Sequence, residues 1–292
     1  MRIFFVVISI LISGIVFSQK NIDEHFKIYD TRSKQIITLE KIISDCANAD
    51  VLFFGEEHND SIGHWLEAEI FKALHQQYGD KVVLSLEMFE TDNQLALNEY
   101  LAGYMDETRF AKDVRLWSNY KDYRPMIEYA KQNDIPVIAA NPPRRYVSMV
   151  TRKGMKSLDS LSKDAKKFLP PLPYDTLSGR YREKFMNIMK GSPGAGSQNI
   201  YYSQSLWDAG MSNSIYNFMK KNKRIKVFHC VGRFHSDEKL GTVAQLQKRN
   251  SRLKILNISC FSDASFSDPD WEKFILLGDY VIITDPELKR TF

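Results

Sequence analysis

What most constrains the fold of this chain is an alternation of two kinds of stretch. Short, unbroken apolar runs are separated by longer stretches with helical spacing. In "DVLFFGE" four apolar residues, Val51 to Phe54, precede Gly55 and Glu56. A strand exposed on one face alternates polar and apolar residues, so an unbroken run suits a strand covered on both faces. Residues 61–78 follow, with Ile62, Trp65, Leu66, Ile70, Phe71 and Leu74 at helical spacing. Ser61 stands where a helix cap is expected. Residues 81–89 and 135–141 read as further strands, and 91–101 and 123–134 as helices. A helix begins in "NPPRRYVSMV", where proline suits a first turn. Strands at 225–232, 253–260 and 279–285 and a helix at 239–250 resume the pattern. Strands alternating with helices predict an α/β fold, a mainly parallel β-sheet flanked by helices.

The alternation breaks after about Arg152. Residues 153–200 are rich in Lys, Ser, Pro and Gly, and a strong helix follows at 201–221. This predicts a single α/β domain over residues 19–292 with a helical insertion at about 153–221. Residues 1–18 hold one Arg, an apolar run from Ile3 to Phe17 and small residues before Gln19. They read as a secretory signal peptide cleaved near Ser18, which predicts a secreted or periplasmic protein. The first cysteine is Cys46, so no lipid anchor is expected at the cleavage point. Only Cys230 and Cys260 join it, both in apolar runs, and they read as small core residues rather than a disulfide. The net charge is +4 and the basic residues are scattered, which argues against a nucleic-acid partner.

Polar residues follow several of the apolar runs. The first ends in Gly55-Glu56-Glu57-His58, the second in Glu87-Met88-Phe89-Glu90, and the third in Asn141-Pro142-Pro143-Arg144-Arg145. "HCVGRFH" ends in Gly232-Arg233-Phe234-His235, a second Gly-x-x-His. In a parallel sheet all these ends lie on one side, where open α/β sheets bind ligands. Each glycine lets the backbone turn off the strand and leaves room for a ligand. Imidazole is the commonest metal ligand and titrates near neutrality. His58, Glu87 and His235 therefore form a candidate metal set, with Glu57 as general base and Arg144 for a carboxylate or oxyanion. Glu57 is preferred over Glu56, since adjacent residues point in opposite directions. His64 reads equally as a helix-surface residue or a member of the site, and His229 as a core group. A single Gly-x-x-His recurs by chance; two of them, each after an apolar strand, favour one shared site.

The insertion carries Tyr174, Tyr181, Tyr201 and Tyr202, with Phe185, Met186, Met189, Trp207 and Met211 nearby. A helical core is the default reading. The sharper one is a flat apolar ligand between this lobe and the sheet, because tyrosinate can ligate ferric haem iron.

Taken in order, "VLFFGEEHND", "LSLEMFE", "IPVIAANPPR", "SQSLWDAGM" and "HCVGRFH" resemble the ChaN-like haem-binding proteins, over about residues 45–260. That family resembles, more distantly, TraB proteins, Tiki proteases and erythromycin esterases, whose hallmark the Gly55/His58 and Gly232/His235 pair is similar to. The resemblance implies a haem cofactor bound by His58, His64, Asn141, Arg144, Tyr181, Tyr202 and His235, with Tyr181 or Tyr202 on the iron. It also implies a role in haem or iron uptake, two subunits around cofacial haems, and an outer-membrane haem receptor as partner. In Tiki-like relatives the same motifs imply a divalent-metal hydrolase, in which Glu57, His58, Glu87 and Arg144 are catalytic. The chain departs from the family in lacking a lipobox cysteine, and in "MKGSPGAGSQNIYY" it has no histidine.

Overall fold

The computed structural model describes residues 22–191 and 198–292. The apolar run at the amino terminus, with its expected cleavage point, and residues 192–197 of the insertion lie outside the described residues. Among the described residues no helix is long and apolar enough to cross a membrane.

Eight strands form one sheet: β1 (Phe26–Asp30), β2 (Gln35–Ile37), β3 (Val51–Glu56), β4 (Val82–Glu90), β5 (Val137–Asn141), β6 (Lys226–Gly232), β7 (Ile255–Ser262) and β8 (Tyr280–Thr284). Their spatial order is β2-β1-β8-β7-β3-β6-β4-β5. The six strands from β8 to β5 run parallel. β1 and β2 add an antiparallel edge. That edge was not legible beforehand: β2 has three residues, two of them exposed, and carries no apolar run.

The helices are α1 (Leu39–Asp45), α2 (Ser61–Tyr78), α3 (Gln94–Leu101), α4 (Glu107–Asp113), α5 (Tyr120–Gln132), α6 (Arg144–Lys153), α7 (Lys163–Lys166), α8 (Arg180–Met189), α9 (Gln198–Lys221) and α10 (Gly241–Arg249). Strand parity sorts the core into two layers. Val51, Phe53, Val83, Val227 and Val231 pack under α9 and α10 through Met211, Ile215, Val243 and Leu246. Leu52, Phe54, Leu84, Leu86 and Phe228 face α2 and α5 through Leu66, Phe71, Tyr123 and Ile127. Both faces are covered, which is why the strands read as unbroken apolar runs.

α2 begins where its spacing predicts, but its cap is Asp60 rather than Ser61. The Asp60 carboxylate accepts the Ile62 N–H at 3.0 Å and the Thr284 hydroxyl at 2.5 Å. Its side-chain oxygen satisfies one of the orphan N–H groups of the first turn. In the insertion, Leu158, Leu169 and Tyr174 pack between α6 and the first half of α9, while Tyr181 and Phe185 of α8 pack on Tyr201. The second half of α9 covers the sheet. Cys46, Cys230 and Cys260 are buried, free thiols.

Candidate functional site

The two Gly-x-x-His motifs lie side by side, because β3 and β6 are hydrogen-bonded neighbours with Gly55 opposite Val231 and Glu56 opposite Gly232. Each glycine makes room for the other motif. A Cβ on Gly55 would stand 2.4 Å from Ser236 Oγ and 3.0 Å from the Arg233 Cα. A Cβ on Gly232 would stand 2.8 Å from His58 Nε2. This corrects the expectation that these glycines leave space for a ligand and a sharp turn. The space is filled by protein, and Gly232 keeps an ordinary φ of −53°.

A buried carboxylate orients each histidine. His58 Nδ1 bonds Glu56 Oε1 at 2.7 Å, and the same oxygen accepts the Tyr123 hydroxyl at 2.8 Å. His235 Nδ1 bonds Asp208 Oδ1 at 2.8 Å. Asp208, fully buried in α9, also accepts the Thr242 hydroxyl at 2.9 Å and the Tyr181 hydroxyl at 2.5 Å. In both rings Nδ1 is engaged; Nε2 of His235 is turned toward Glu87, and Nε2 of His58 lies beside Gly232. The Glu87 Oε1 atom lies 3.8 Å from His235 Nε2, and Oε2 accepts the Gly232 N–H at 2.7 Å. A histidine held at one nitrogen by a carboxylate presents the other to a metal, a haem iron or a proton acceptor.

Glu56, not Glu57, is the carboxylate that orients His58. Glu56 shares the parity of Leu52 and Phe54 and so points among α2 and α5. Glu57 borders the smaller pocket beside His58 and accepts from Arg290 Nη2 at 2.7 Å and from the Ser262 N–H at 3.3 Å. Burial alone would raise the Glu56 pKa, but the hydrogen bond from His58 and the nearby His64 hold it down at about 2. Burial opposes charge on His58, yet Glu56 and Glu87 raise it to about 9. His235 is raised against its burial by Asp208 and Glu87. His229 lacks a carboxylate partner. Its Nδ1 meets Ser85 Oγ at 2.9 Å, and burial drops its pKa to about 3, consistent with a neutral core residue.

A cleft of about 690 Å³ opens above these groups. His58, His235 and Glu87 line it together with Trp117, Trp207, Leu116 and Pro142, and Arg115, Arg144 and Asn141 complete its wall. Trp117 meets the His58 ring edge-on at 5.0 Å between centroids. The Arg144 side chain is exposed and its backbone N–H donates to Glu90 Oε2 at 3.1 Å. His58 and His235 also border a smaller apolar pocket of about 360 Å³ beside Phe185, Ile188 and Met189.

The remaining expected residues fall elsewhere. His64 is buried on α2, not on the helix surface, with Nε2 3.0 Å from Glu56 Oε2. Tyr181 is buried with its hydroxyl committed to Asp208, and burial pushes its pKa well up, so it supports Asp208 rather than facing a ligand. Tyr202 packs with the α6 and α9 cluster and lines neither pocket. Asp208, Glu56, Trp117 and Gln204, whose Nε2 lies 3.2 Å from His235 Nδ1, were missed as site residues. Asp208 had a signal, since Gln204, Asp208 and Ser212 repeat every four residues through a stretch of helix that is apolar apart from Ser205.

Residues 42–246 match the model of a family described as haem-binding uptake, Tiki superfamily, ChaN. The chain is 27% identical over 142 residues to Protein RETICULATA-RELATED 5, chloroplastic, of Arabidopsis thaliana. That match covers 45% of this chain and 19% of the relative, so the chain spans about a fifth of that protein's length. Among solved structures, ChaN of Campylobacter jejuni, described with cofacial haem binding, superposes with a TM-score of 0.67 at 18% identity, covering 89% of this chain and 97% of that one. An erythromycin esterase mutant in its open conformation superposes with a TM-score of 0.50 at 11% identity, covering 89% of this chain and 83% of that one. At such identities the two structures share a fold with this chain.

Proposed function

The chain belongs to the ChaN family of haem-binding uptake proteins in the Tiki superfamily, and from that premise we propose an exported haem-binding protein that handles haem iron, with haem in the cleft at the carboxyl edge of the sheet. One observation carries this reading. The cleft of about 690 Å³ combines tryptophan walls, two arginines and two oriented histidines. Its size suits a flat ligand, apolar walls suit a macrocycle, and guanidinium groups pair with carboxylates such as propionates. The residues present fit a haem held by imidazole better than one held by tyrosine, because among the described residues the cleft is lined by His58 and His235 and by no tyrosine. Haem bound there would supply a redox-active iron. The protein's part is to fix both rings through Glu56 and Asp208, exclude water with Trp117 and Trp207, and hold a propionate at Arg144, since Arg115 is already paired with Glu90 and Asp92. Export is supported by the apolar amino terminus, and the cofacial haems described for the Campylobacter protein support a dimer of this chain around a haem pair. An outer-membrane haem receptor would be the matching partner. Titration of the purified protein with haemin tests the reading. A Soret shift that saturates at stoichiometric haemin and is lost in His58→Ala/His235→Ala is expected; no shift overturns it.

A second reading is a divalent-metal hydrolase, favoured by the two carboxylate-oriented imidazoles that flank Glu87. His58, His235 and Glu87 would hold the ion, which polarises a carbonyl and acidifies water. Arg144 would meet the oxyanion. Glu57 leaves this scheme as base, since it is paired with Arg290. Metal content and ester or peptide hydrolysis that both persist unchanged in His58→Ala would remove the reading.

A further inference from the structure

Behind the cleft, on the α2 and α5 face of the sheet, lies a second group of titratable side chains, of which the readings above use only Glu56. Glu56, His64 and Glu67 each offer a ligand atom, and these atoms lie within 4.8 Å of one another. His64 and Glu67 are three residues apart on α2, so they share the helix face turned toward β3. Glu67 is fully buried, and neither carboxylate oxygen has a hydrogen-bond partner. Glu56 Oε2 and His64 Nε2 meet only each other, at 3.0 Å, and His64 Nδ1 has no hydrogen-bond partner. Buried polar groups are ordinarily satisfied, and an unpaired buried carboxylate is among the most costly exceptions. The Glu67 carboxylate, with a ligand atom within 4.8 Å of that pair, is left without a partner.

We propose that Glu56, His64 and Glu67 form a buried binding site for a divalent first-row cation such as Zn²⁺ or Mn²⁺. Two carboxylates and one neutral imidazole match the donor preference of those ions. The ion's two positive charges balance the two carboxylates, so no net charge is left in the core. Metal–ligand bonds of about 2.1 Å put donor atoms roughly 3 to 4 Å apart, so small side-chain rotations close the site. His64 Nε2 already points at Glu56, and its Nδ1 lies 3.9 Å from Asp122 Oδ2, another buried atom without a hydrogen bond. A carboxylate on the far nitrogen is the arrangement that orients a metal-ligating histidine. Glu56 would join the two sites, with Oε2 on the ion and Oε1 on His58. The alternative partner is a proton shared between Glu56 and Glu67.

The experiment measures metal per chain, after loading purified protein with Zn²⁺ or Mn²⁺ and desalting it. About one ion per chain is expected in the wild type and in Glu87→Gln/His235→Ala, and less than about a tenth in Glu67→Gln. The isosteric amide keeps the packing, and far-UV dichroism checks that it folds; His64→Gln gives a second variant with the same expected loss. A wild type that retains neither ion overturns the proposal in favour of the shared proton. So does retention in Glu67→Gln with loss in Glu87→Gln/His235→Ala, which locates the ion in the cleft instead.

Discussion

His58 and His235 reach the same mouth from opposite faces of the sheet. Glu56, which orients His58, sits two residues before it and points toward α2 and α5. Asp208, which orients His235, lies 27 residues earlier in the chain, on the helix covering the other face. The His58 side chain keeps 37% of its exposure and His235 only 9%. Two unrelated supports thus produce the same result, an imidazole fixed at Nδ1. The difference divides their work: His58 is the ring a ligand meets first, and His235 is the one tied into the core.

The comparison can be broken at its supports. Asp208→Ala removes the carboxylate acceptor of a buried histidine and two hydroxyls and is expected to cost about 3–5 kcal/mol in urea unfolding. Glu56→Ala should fall in the same range, and a loss below about 1 kcal/mol in either would deny that the pairs are structural. Gly55→Ala comes next. Its Cβ would press on the Arg233 backbone, which cannot swing aside, so about 1–3 kcal/mol is expected.

His229 sharpens the contrast, because it is buried without a carboxylate. Its folded pKa of about 3 lies below the ordinary 6.5 of an unfolded chain. The unfolded state therefore binds the extra proton. This contribution is complete above about pH 6.5 and is lost as pH falls toward 3, by up to about 1.4 kcal/mol per unit. Unfolding measured at pH 7 and pH 5 should show the loss, with a shallower slope in His229→Gln. The smallest effect is expected at Glu57. Its pair with Arg290 is partly exposed, and Glu57→Ala should cost less than about 1 kcal/mol. An equal cost at Glu56 and Glu57 would refute the parity assignment.

The two supports also explain what was legible in the sequence. β3, β4, β5 and β6 were readable because burial on both faces leaves unbroken apolar runs, and parallel pairing then brings their ends together. His58, Glu87 and His235 followed from that placement. Glu56 was misassigned because the last residue of a strand and the first of its loop cannot be told apart by period alone. Asp208 was out of reach in a different way: its partner is set by how α9 crosses the sheet, not by spacing. Tyr181 looked like a ligand because composition places an aromatic in the insertion but does not show where its hydroxyl points.

The central claim is that the two Gly-x-x-His motifs are built around each other, and a double-mutant cycle tests it without any ligand. Gly232→Ala should cost about 1–3 kcal/mol in the wild type, where its methyl group meets the His58 ring. In a His58→Ala background the ring is gone, and the same change should cost less than about 0.5 kcal/mol. An equal cost in both backgrounds would contradict the account.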